Sequence, residues 1–161
     1  MLVSEVFGSS VIDELVIPTL EHAHAQLLQP GATVVPKVAS ARAYLAGGLE
    51  LESNLLVDRT AGFTISPFND FATSKMGLDV SHVPHDVLSD DFEIFRFDLT
   101  QPSIPAGKRV IDVVAVRSGR CFGLVQWLRI DLIDELVYEN RPSPGTPING
   151  WGQILYIATP C

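Results

Sequence analysis

The spacing of apolar residues changes at about residue 37, and this change constrains the possible folds more than any other feature of the chain. Before it, a short apolar pair, a loop, a helical pattern and an apolar run at residues 32–35 follow one another. A strand, a helix and a strand in this order are typical of a parallel α/β unit. After it, apolar residues recur mainly at alternate positions, the period of a strand. We therefore predict an α+β fold, mainly β: a partial α/β unit followed by an antiparallel β-barrel or sandwich.

The second part of the chain contains the predicted strands. Alternating or β-branched runs favour strands at residues 92–99, 109–117, 121–132 and 151–159, with weaker patterns at 38–45 and 49–57. The segment 118–120, Ser-Gly-Arg, predicts a hairpin between two of these runs. Residues 58–91 are punctuated by proline and glycine and are predicted to form an inserted arm with short helical turns.

The first part of the chain contains the predicted helix. Its apolar face begins near Val11 and continues through Leu20 and Ala23. Pro18 either kinks this helix or begins a new one, because proline is tolerated in a first turn. The helix is predicted to end at residues 29–31, Gln-Pro-Gly.

Two glutamates flank the loop between the first apolar pair and the helix. Glu5 follows the apolar pair directly, and Glu14 lies near the start of the helix. Ligands of open α/β sheets bind at the carboxyl ends of strands, where this loop would lie. Two carboxylates there suit a guanidinium, whose rigid fork of N–H groups can be held side by side. The alternative is a pair of unrelated solvated acids, which are common near helix starts because of the helix dipole.

The same residues resemble a known family. Ser4-Glu5, a turn, and Glu14 nine positions after Glu5 resemble the double-glutamate loop of the protein arginine N-methyltransferases. Residues 15–36 resemble the helix and strand that follow, and Phe7 and the His-Ala-His at 22–24 resemble one branch of the family. The resemblance implies that Glu5 and Glu14 are catalytic and hold the target arginine. It also implies transfer of a methyl group from S-adenosylmethionine to a guanidino nitrogen.

A second resemblance lies near the end of the chain. Residues 149–153, Asn-Gly-Trp-Gly-Gln, resemble the Thr-His-Trp loop of the family. By this resemblance Trp151 would wall the guanidinium, and Asn149 and Gln153 would also bind substrate. Gly150 replaces the histidine, which puts the polar contact to the double-glutamate loop in doubt. The alternative for Trp151 is an ordinary buried strand tryptophan.

Glycine-rich cofactor motifs are missing from the sequence. No Gly-x-Gly-x-Gly follows a strand, although dinucleotide-like and S-adenosylmethionine folds use such a turn. The chain is therefore interpreted as a C-terminal portion: residues 1–37 as the remnant of a Rossmann-like domain, and 38–161 as a β-barrel for substrate binding or dimerisation. Its cofactor-binding residues are unknown, and we expect the chain alone to be inactive. The alternatives are a non-catalytic binding or dimerisation module, and a cofactor domain supplied by a separate chain.

Charge and composition exclude several other functions. The net charge of −8 and pI near 4.8 argue against nucleic acid as a partner and favour arginine-rich proteins or peptides, although solubility alone also explains an acidic surface. No stretch is apolar for long enough to span a membrane, and no leader is expected. Two distant cysteines, Cys121 and Cys161, do not make a disulfide framework, which favours the cytoplasm.

Other candidate sites in the sequence are weaker. His22 and His24 are two apart, so they do not converge on a metal from one helix face. The pair His82 and His85 lacks a second pair of ligands, and no metal is predicted. The serines at 9–10 lack a nucleophile motif and are interpreted as helix-capping residues.

Overall fold

The computed structural model of the protein describes residues 1–78, 82–143 and 150–158. Its helices are α1 (Val16–Gln26), α2 (Leu49–Leu55) and a 3₁₀ helix (Ser66–Phe71). Its strands are β1 (Leu2–Val3), β2 (Val34–Val35), β3 (Val38–Gly47), β4 (Arg59–Thr60), β5 (Phe63–Thr64), β6 (Lys75–Leu78), β7 (Asp86–Val87), β8 (Phe92–Asp98), β9 (Cys121–Asp131), β10 (Val137–Glu139) and β11 (Gln153–Ile157).

Two long antiparallel strands form the centre of the main sheet. β3 and β9 pair from Val38 opposite Asp131 to Ala46 opposite Gly123. β8 and β7 follow one another along the other edge of β3. β10 and β11 likewise share the other edge of β9, and β6 pairs outside β11. Both edges of each central strand are therefore occupied.

The two faces of the central strands carry separate apolar clusters, because successive side chains of a strand point to opposite faces. Ala41 and Leu128 pack in one cluster with Leu20 of α1. Tyr44 and Trp127 pack in the other, which contains α2. The first cluster also contains residues of the loop before α1, so the chain's first segment and the sheet share one core. The predicted division at residues 37 and 38 stays a prediction.

The first segment is a small parallel unit, as the sequence pattern indicates. β1 and β2 pair in parallel, with Leu2 opposite Val34, and α1 connects them. The helix begins at Val16 rather than near Val11. The reason lies in the backbone, because Val11, Glu14 and Leu15 all have φ values between 61° and 73° that no right-handed helix contains. Pro18 lies in the first turn of α1, where its missing N–H leaves no hydrogen bond unmade.

The α+β, mainly β fold class is confirmed, but the described sheet is not closed into a barrel. Its path runs from β6 through β11, β9 and β3 to β7, and no pairing between described residues joins the two ends. Among the described residues, no helix is long and apolar enough to cross a bilayer.

Two predicted strands are wrong. Residues 49–57 contain α2: the buried Leu51 and the partly buried Leu55 are four apart on one helix face, and the early glutamates suit the helix dipole. Residues 109–117 form no strand, and the predicted hairpin at 118–120 is therefore absent. Their described sheet contacts are a bridge from Ala115 to Ser89 and a bond from the Val116 amide to Leu88. Their expected partner β9 already has both edges paired, so no edge of β9 is left to receive them.

Candidate functional site

The two predicted catalytic glutamates lie on one loop, residues 4–15, which we call the glutamate loop. It leaves β1 where the Ser4 amide donates to Val35, and it enters α1 at Val16. Glu5 and Glu14 are both exposed to solvent. Neither carboxylate forms an ion pair or a hydrogen bond with the described residues.

Two apolar residues of the glutamate loop are buried instead. Phe7 and Val11 are only 4% and 1% exposed and pack in the cluster that contains α1. Between them the chain turns, and the Val11 amide donates to the Gly8 carbonyl at 2.9 Å. Burial of these two apolar side chains therefore fixes the loop, while the glutamates before and after them face water.

The glutamate loop also contains unusual backbone conformations. Val11 has φ 73°, and Glu14 and Leu15 both have φ 61°. Left-handed φ values are uncommon outside glycine and are most strained for β-branched residues such as valine. Such conformations persist only where surrounding contacts enforce them, and they cluster at functional sites. Glu14, one of the two candidate catalytic residues, is itself held in this conformation.

Three side chains of the main sheet hold the loop backbone and one of its hydroxyls. The indole nitrogen of Trp151 donates to the Phe7 carbonyl at 2.6 Å, and Nε2 of Gln126 donates to the Ser9 carbonyl at 3.3 Å. Nζ of Lys75 donates to Oγ of Ser10. The three donors come from β6, β9 and the segment before β11, so the loop is held against the main sheet.

The hydroxyl of Ser10 has a second neighbour on the sheet. Tyr156 of β11 hydrogen-bonds Ser10, and burial raises the pKa of the Tyr156 phenol. Nζ of Lys75 lies 5.9 Å from the centre of the Tyr156 ring. Ser10 is therefore a docking point for the loop rather than a free nucleophile.

Trp151 is held on the sheet side as well as on the loop side. Its ring meets Tyr138 edge-on, with centroids 5.3 Å apart, and its carbonyl accepts a bond of 2.9 Å from Nδ2 of Asn140. Burial raises the pKa of the Tyr138 phenol. The tryptophan is partly buried, so it both packs like a strand residue and contacts the glutamate loop.

The other two predicted substrate-binding residues differ in position. Gln153 is 7% exposed, and its Nε2 donates to the Asn140 carbonyl at 3.0 Å. That environment suits a structural amide more than one that meets substrate. Asn149 lies outside the described residues. Gly150, which replaces the family histidine, has φ 90° and brings no side chain towards the loop.

Three supporting residues carry no signal in the sequence that links them to the loop. Lys75, Gln126 and Asn140 are separated from residues 7–10 by 65 residues or more. An alternating pattern assigns Gln126 to a strand face, but it does not say which loop covers that face. Asn140 before Arg-Pro resembles an ordinary strand end.

A second polar cluster lies across the sheet from the glutamate loop. Arg141 binds Asp91 through two nitrogens, at 2.7 and 2.9 Å. Its guanidinium lies 5.5 and 5.6 Å from the ring centres of Tyr44 and Trp127. The carboxylate of Asp91 raises the pKa of Arg141, and burial raises the pKa of Tyr44. We call these four residues the arginine clamp.

The predicted histidine sites have ordinary partners. Nε2 of His24 donates to the Leu99 carbonyl at 2.9 Å. Nδ1 of His85 donates to the Val83 carbonyl, which leaves Nε2 to accept from the Tyr44 hydroxyl at 2.8 Å. Within residues 1–78, 82–143 and 150–158 no three His, Cys, Asp or Glu side chains are grouped as metal ligands would be.

The sequence of this chain is similar to those of several enzymes of one family. No family model matches the sequence. The chain is 27% identical over 154 residues, 95% of its length, to an arginine N(omega)-methyltransferase of Streptomyces achromogenes subsp. streptozoticus. It is 32% identical over 120 residues, 68% of its length, to protein arginine N-methyltransferase 9 of Mus musculus. This chain is a homologue of the arginine N-methyltransferases.

The homology covers part of each methyltransferase. The chain spans 42% of the length of the Streptomyces relative and 14% of the mouse one. A solved Trypanosoma brucei structure, the PRMT1 enzyme–prozyme heterotetrameric complex with AdoHcy, matches 99% of this chain and 52% of its own. The TM-score is 0.72 at 14% identity, a likeness of fold. The predicted relationship to a C-terminal portion of a methyltransferase is confirmed, whereas the roles of individual residues stay predictions.

The cofactor that the methyltransferase homology implies does not fit the strand–loop–helix unit of this chain. Its single glycine is Gly8, and a Cβ there would lie 2.2 Å from Oδ1 of Asp13. The space beside the glycine backbone is therefore filled by the chain's own carboxylate. A glycine-rich cofactor turn needs that space for the ligand.

Proposed function

We propose that the glutamate loop is the guanidinium-binding part of an arginine N-methyltransferase. Glu5 and Glu14 hold the target arginine, and Trp151 forms a wall of its site. One observation carries the proposal: both carboxylates are exposed and without described partners, on a loop that is held by the buried side chains of Phe7 and Val11 and by hydrogen bonds from the sheet.

The chemistry follows from the charges. Two carboxylates without cationic partners leave an unbalanced negative potential at the loop surface, which a guanidinium neutralises through short charge-assisted hydrogen bonds. Their position draws positive charge towards the bound nitrogens, so the remaining nitrogen becomes a better nucleophile. The loop backbone is fixed before substrate arrives, so less orientational entropy is lost when the reacting groups meet.

The indole of Trp151 supports this assignment in a way that the sequence did not predict. Gly150 stands where the family has a histidine, and it has no side chain that could contact the loop. The bond from the Trp151 indole to Phe7 supplies a polar contact between the same two segments. The face of the ring is then the part of Trp151 left to meet a guanidinium, by cation–π attraction.

Two kinds of substrate are candidates: free arginine and an arginine within a peptide or protein. One relative is named an arginine methyltransferase and another a protein arginine methyltransferase. The exposed loop accommodates either free arginine or an arginine within a peptide. We favour a peptide or protein arginine, because the acidic chain, at −8, attracts basic segments beyond the target residue.

Substituting the glutamates one at a time tests the binding role. Calorimetry with an arginine-rich peptide and with free arginine should show at least about tenfold weaker binding for Glu5→Gln and Glu14→Gln, because each removes a charge-assisted pair. Thermal stability should stay unchanged, because neither carboxylate has a described partner. Glu135→Gln is the matched control, since Glu135 is also exposed but lies outside the glutamate loop. Equal binding by all variants would refute the role.

Catalysis is a separate part of the proposal. S-adenosylmethionine is the methyl donor that the homology implies, but the strand–loop–helix unit of this chain leaves no space for it beside Gly8. We therefore expect the chain alone to transfer no methyl group from labelled S-adenosylmethionine to the peptide. Methylation by the purified chain would contradict this expectation. The absence of methylation would not count against peptide binding, which is measured separately.

A second candidate function is self-association, and the inserted arm favours it. Phe63, Phe68 and Phe71 are 74%, 68% and 83% exposed. Soluble monomers seldom expose three large aromatic side chains in one short segment, and such patches mark interfaces. Sedimentation of the chain and of Phe71→Ser tests this function: a dimer that the substitution dissociates supports it, and a monomer in both cases contradicts it.

A further inference from the structure

The segment that leaves β10 continues the sheet by one residue, Asn140. Its backbone amide donates to the Leu128 carbonyl at 3.2 Å, and its side-chain Oδ1 accepts from the Leu128 amide at 2.9 Å. The side chain thus replaces a strand carbonyl on the edge of β9. Asn140 is 5% exposed, so these bonds form away from water.

The other end of the same amide reaches the segment of Trp151. Nδ2 of Asn140 donates to the Trp151 carbonyl at 2.9 Å, and the Trp151 indole donates to Phe7 at 2.6 Å. A continuous set of hydrogen bonds therefore runs from the centre of β9 through Asn140 and Trp151 to the glutamate loop. No bond in the set is longer than 2.9 Å.

We propose that Asn140 is a positioning residue for the glutamate loop, acting through Trp151. The proposal rests on the proposed function, in which Glu5 and Glu14 bind a guanidinium. Asn140 touches no substrate. It fixes where Trp151 stands, and Trp151 fixes the loop backbone two residues after Glu5.

An amide is the group that this position requires. The site offers one donor, the Leu128 amide, and one acceptor, the Trp151 carbonyl. A carboxylate only accepts, and an aliphatic side chain does neither, so either would leave a buried polar group unpaired.

The next residue holds the backbone of this segment from the opposite face. Side chains of successive residues in an extended chain point to opposite sides. Asn140 points towards Trp151, and Arg141 lies in the arginine clamp with Asp91. The segment is therefore held on both faces of the sheet. The backbone from which the Asn140 side chain extends is fixed as a result.

Asn140→Asp tests the proposal. It keeps the shape and the acceptor for Leu128 but places an oxygen against the Trp151 carbonyl. Near pH 8, hydrogen exchange at the Val11 amide, which bonds within the loop, should be about tenfold faster than in the unsubstituted chain, with amides of β9 such as Val125 unchanged. Near pH 5 the buried carboxyl, protonated, can donate, and protection should return.

The chain offers a matched control in Asn69. Its Nδ2 donates to the Val57 carbonyl at 2.8 Å and its Oδ1 accepts from the Val57 amide at 3.0 Å, so this exposed amide also uses both its donor and its acceptor on the backbone. Asn69→Asp should leave exchange at Val11 unchanged. If Asn140→Asp fails to fold near pH 8, Asn140→Ser gives the test without a buried charge and should also loosen the loop.

The outcomes separate this proposal from the proposed function. Unchanged exchange at Val11 in Asn140→Ser overturns the positioning role, whatever happens to peptide binding. A loosened loop with unchanged binding of the arginine-rich peptide supports positioning and counts against the guanidinium site.

A double variant tests whether Asn140 acts through Trp151. When Asn140→Asp is combined with Trp151→Phe, hydrogen exchange at the Val11 amide should be no faster than in Trp151→Phe alone. Additive effects would show that Asn140 does not act through Trp151.

Discussion

The indole nitrogen of Trp151 donates a hydrogen bond of 2.6 Å to the carbonyl oxygen of Phe7, 144 residues away in the sequence. The bond joins the segment before the last strand to the loop that follows the first. Both residues belong to the apolar cluster around α1, so little water competes for the bond. Trp151 therefore contacts the glutamate loop, while its role in binding the substrate stays a prediction.

Trp151→Phe should lower the free energy of unfolding by about 1–2 kcal/mol, because the Phe7 carbonyl loses its donor while most of the ring volume is kept. Urea denaturation measures this loss. Tyr138→Phe is the control in the same contact, since the buried Tyr138 hydroxyl has no hydrogen-bond partner in the part of the chain that the structure describes. Its removal should cost nothing. A loss for Tyr138→Phe as large as for Trp151→Phe would show that packing, and not the indole bond, matters.

Leu15→Asn should stabilise the protein by about 0.5–1 kcal/mol, because asparagine tolerates the left-handed conformation better than leucine. Leu15 has φ 61° and is 72% exposed, so little burial is lost. Leu27→Asn is matched in exposure, at 71%, but has φ −120°, and it should bring no gain. Thermal denaturation compares the two. Equal effects would mean that the backbone at Leu15 carries no strain.

Arg141→Lys should destabilise the protein by about 1 kcal/mol, because a lysine cannot bind Asp91 through two nitrogens or stack as a flat cation on Tyr44 and Trp127. Arg96→Lys is the comparison, since Arg96 is also about half exposed and contacts Asp131 through one nitrogen at 3.2 Å. That change should cost less than about 0.5 kcal/mol. The prediction fails if urea midpoints shift equally in both variants.

Thr100→Ala should raise the pKa of Asp98 towards its ordinary value. The Thr100 hydroxyl donates to Oδ1 of Asp98 at 2.6 Å and is the main reason why the pKa of that carboxyl is lowered. A carboxyl whose pKa is lower in the folded state stabilises the protein above its unfolded pKa, and the contribution is lost as pH falls through the folded pKa. The variant should therefore be less stable near neutral pH and equally stable in strong acid.

An NMR titration of Asp98, with urea denaturation at both pH values, checks the Thr100 prediction. Thr73→Ala removes a hydroxyl that donates to the Lys75 carbonyl at 2.7 Å. It should leave the pKa of Asp98 unchanged. A loss of stability in Thr100→Ala that persists in acid would assign the effect to the threonine itself rather than to the carboxylate.

The sequence pattern predicted α1 and the long central strands correctly, but it predicted strands at residues 49–57 and 109–117 that the structure does not contain. The 3.6-residue period located α1, and the long β9 run was predicted within one residue. At 49–57 an alternation of leucine and glutamate suggested a strand, although Leu51 and Leu55 share a helix face. At 109–117 the valines favour a strand locally, but pairing needs a free edge of a neighbouring strand.

By itself the sequence determined that the protein is mainly β, that Glu5 and Glu14 share one loop after a strand, and that the chain resembles arginine N-methyltransferases. Only the tertiary structure decided what holds that loop. Lys75, Gln126 and Trp151 contact it, and Asn140 contacts Trp151, because strand pairing and register bring together residues that are far apart in the sequence. A local pattern records which face of a strand is apolar, but it carries no record of which distant backbone group will lie against that face.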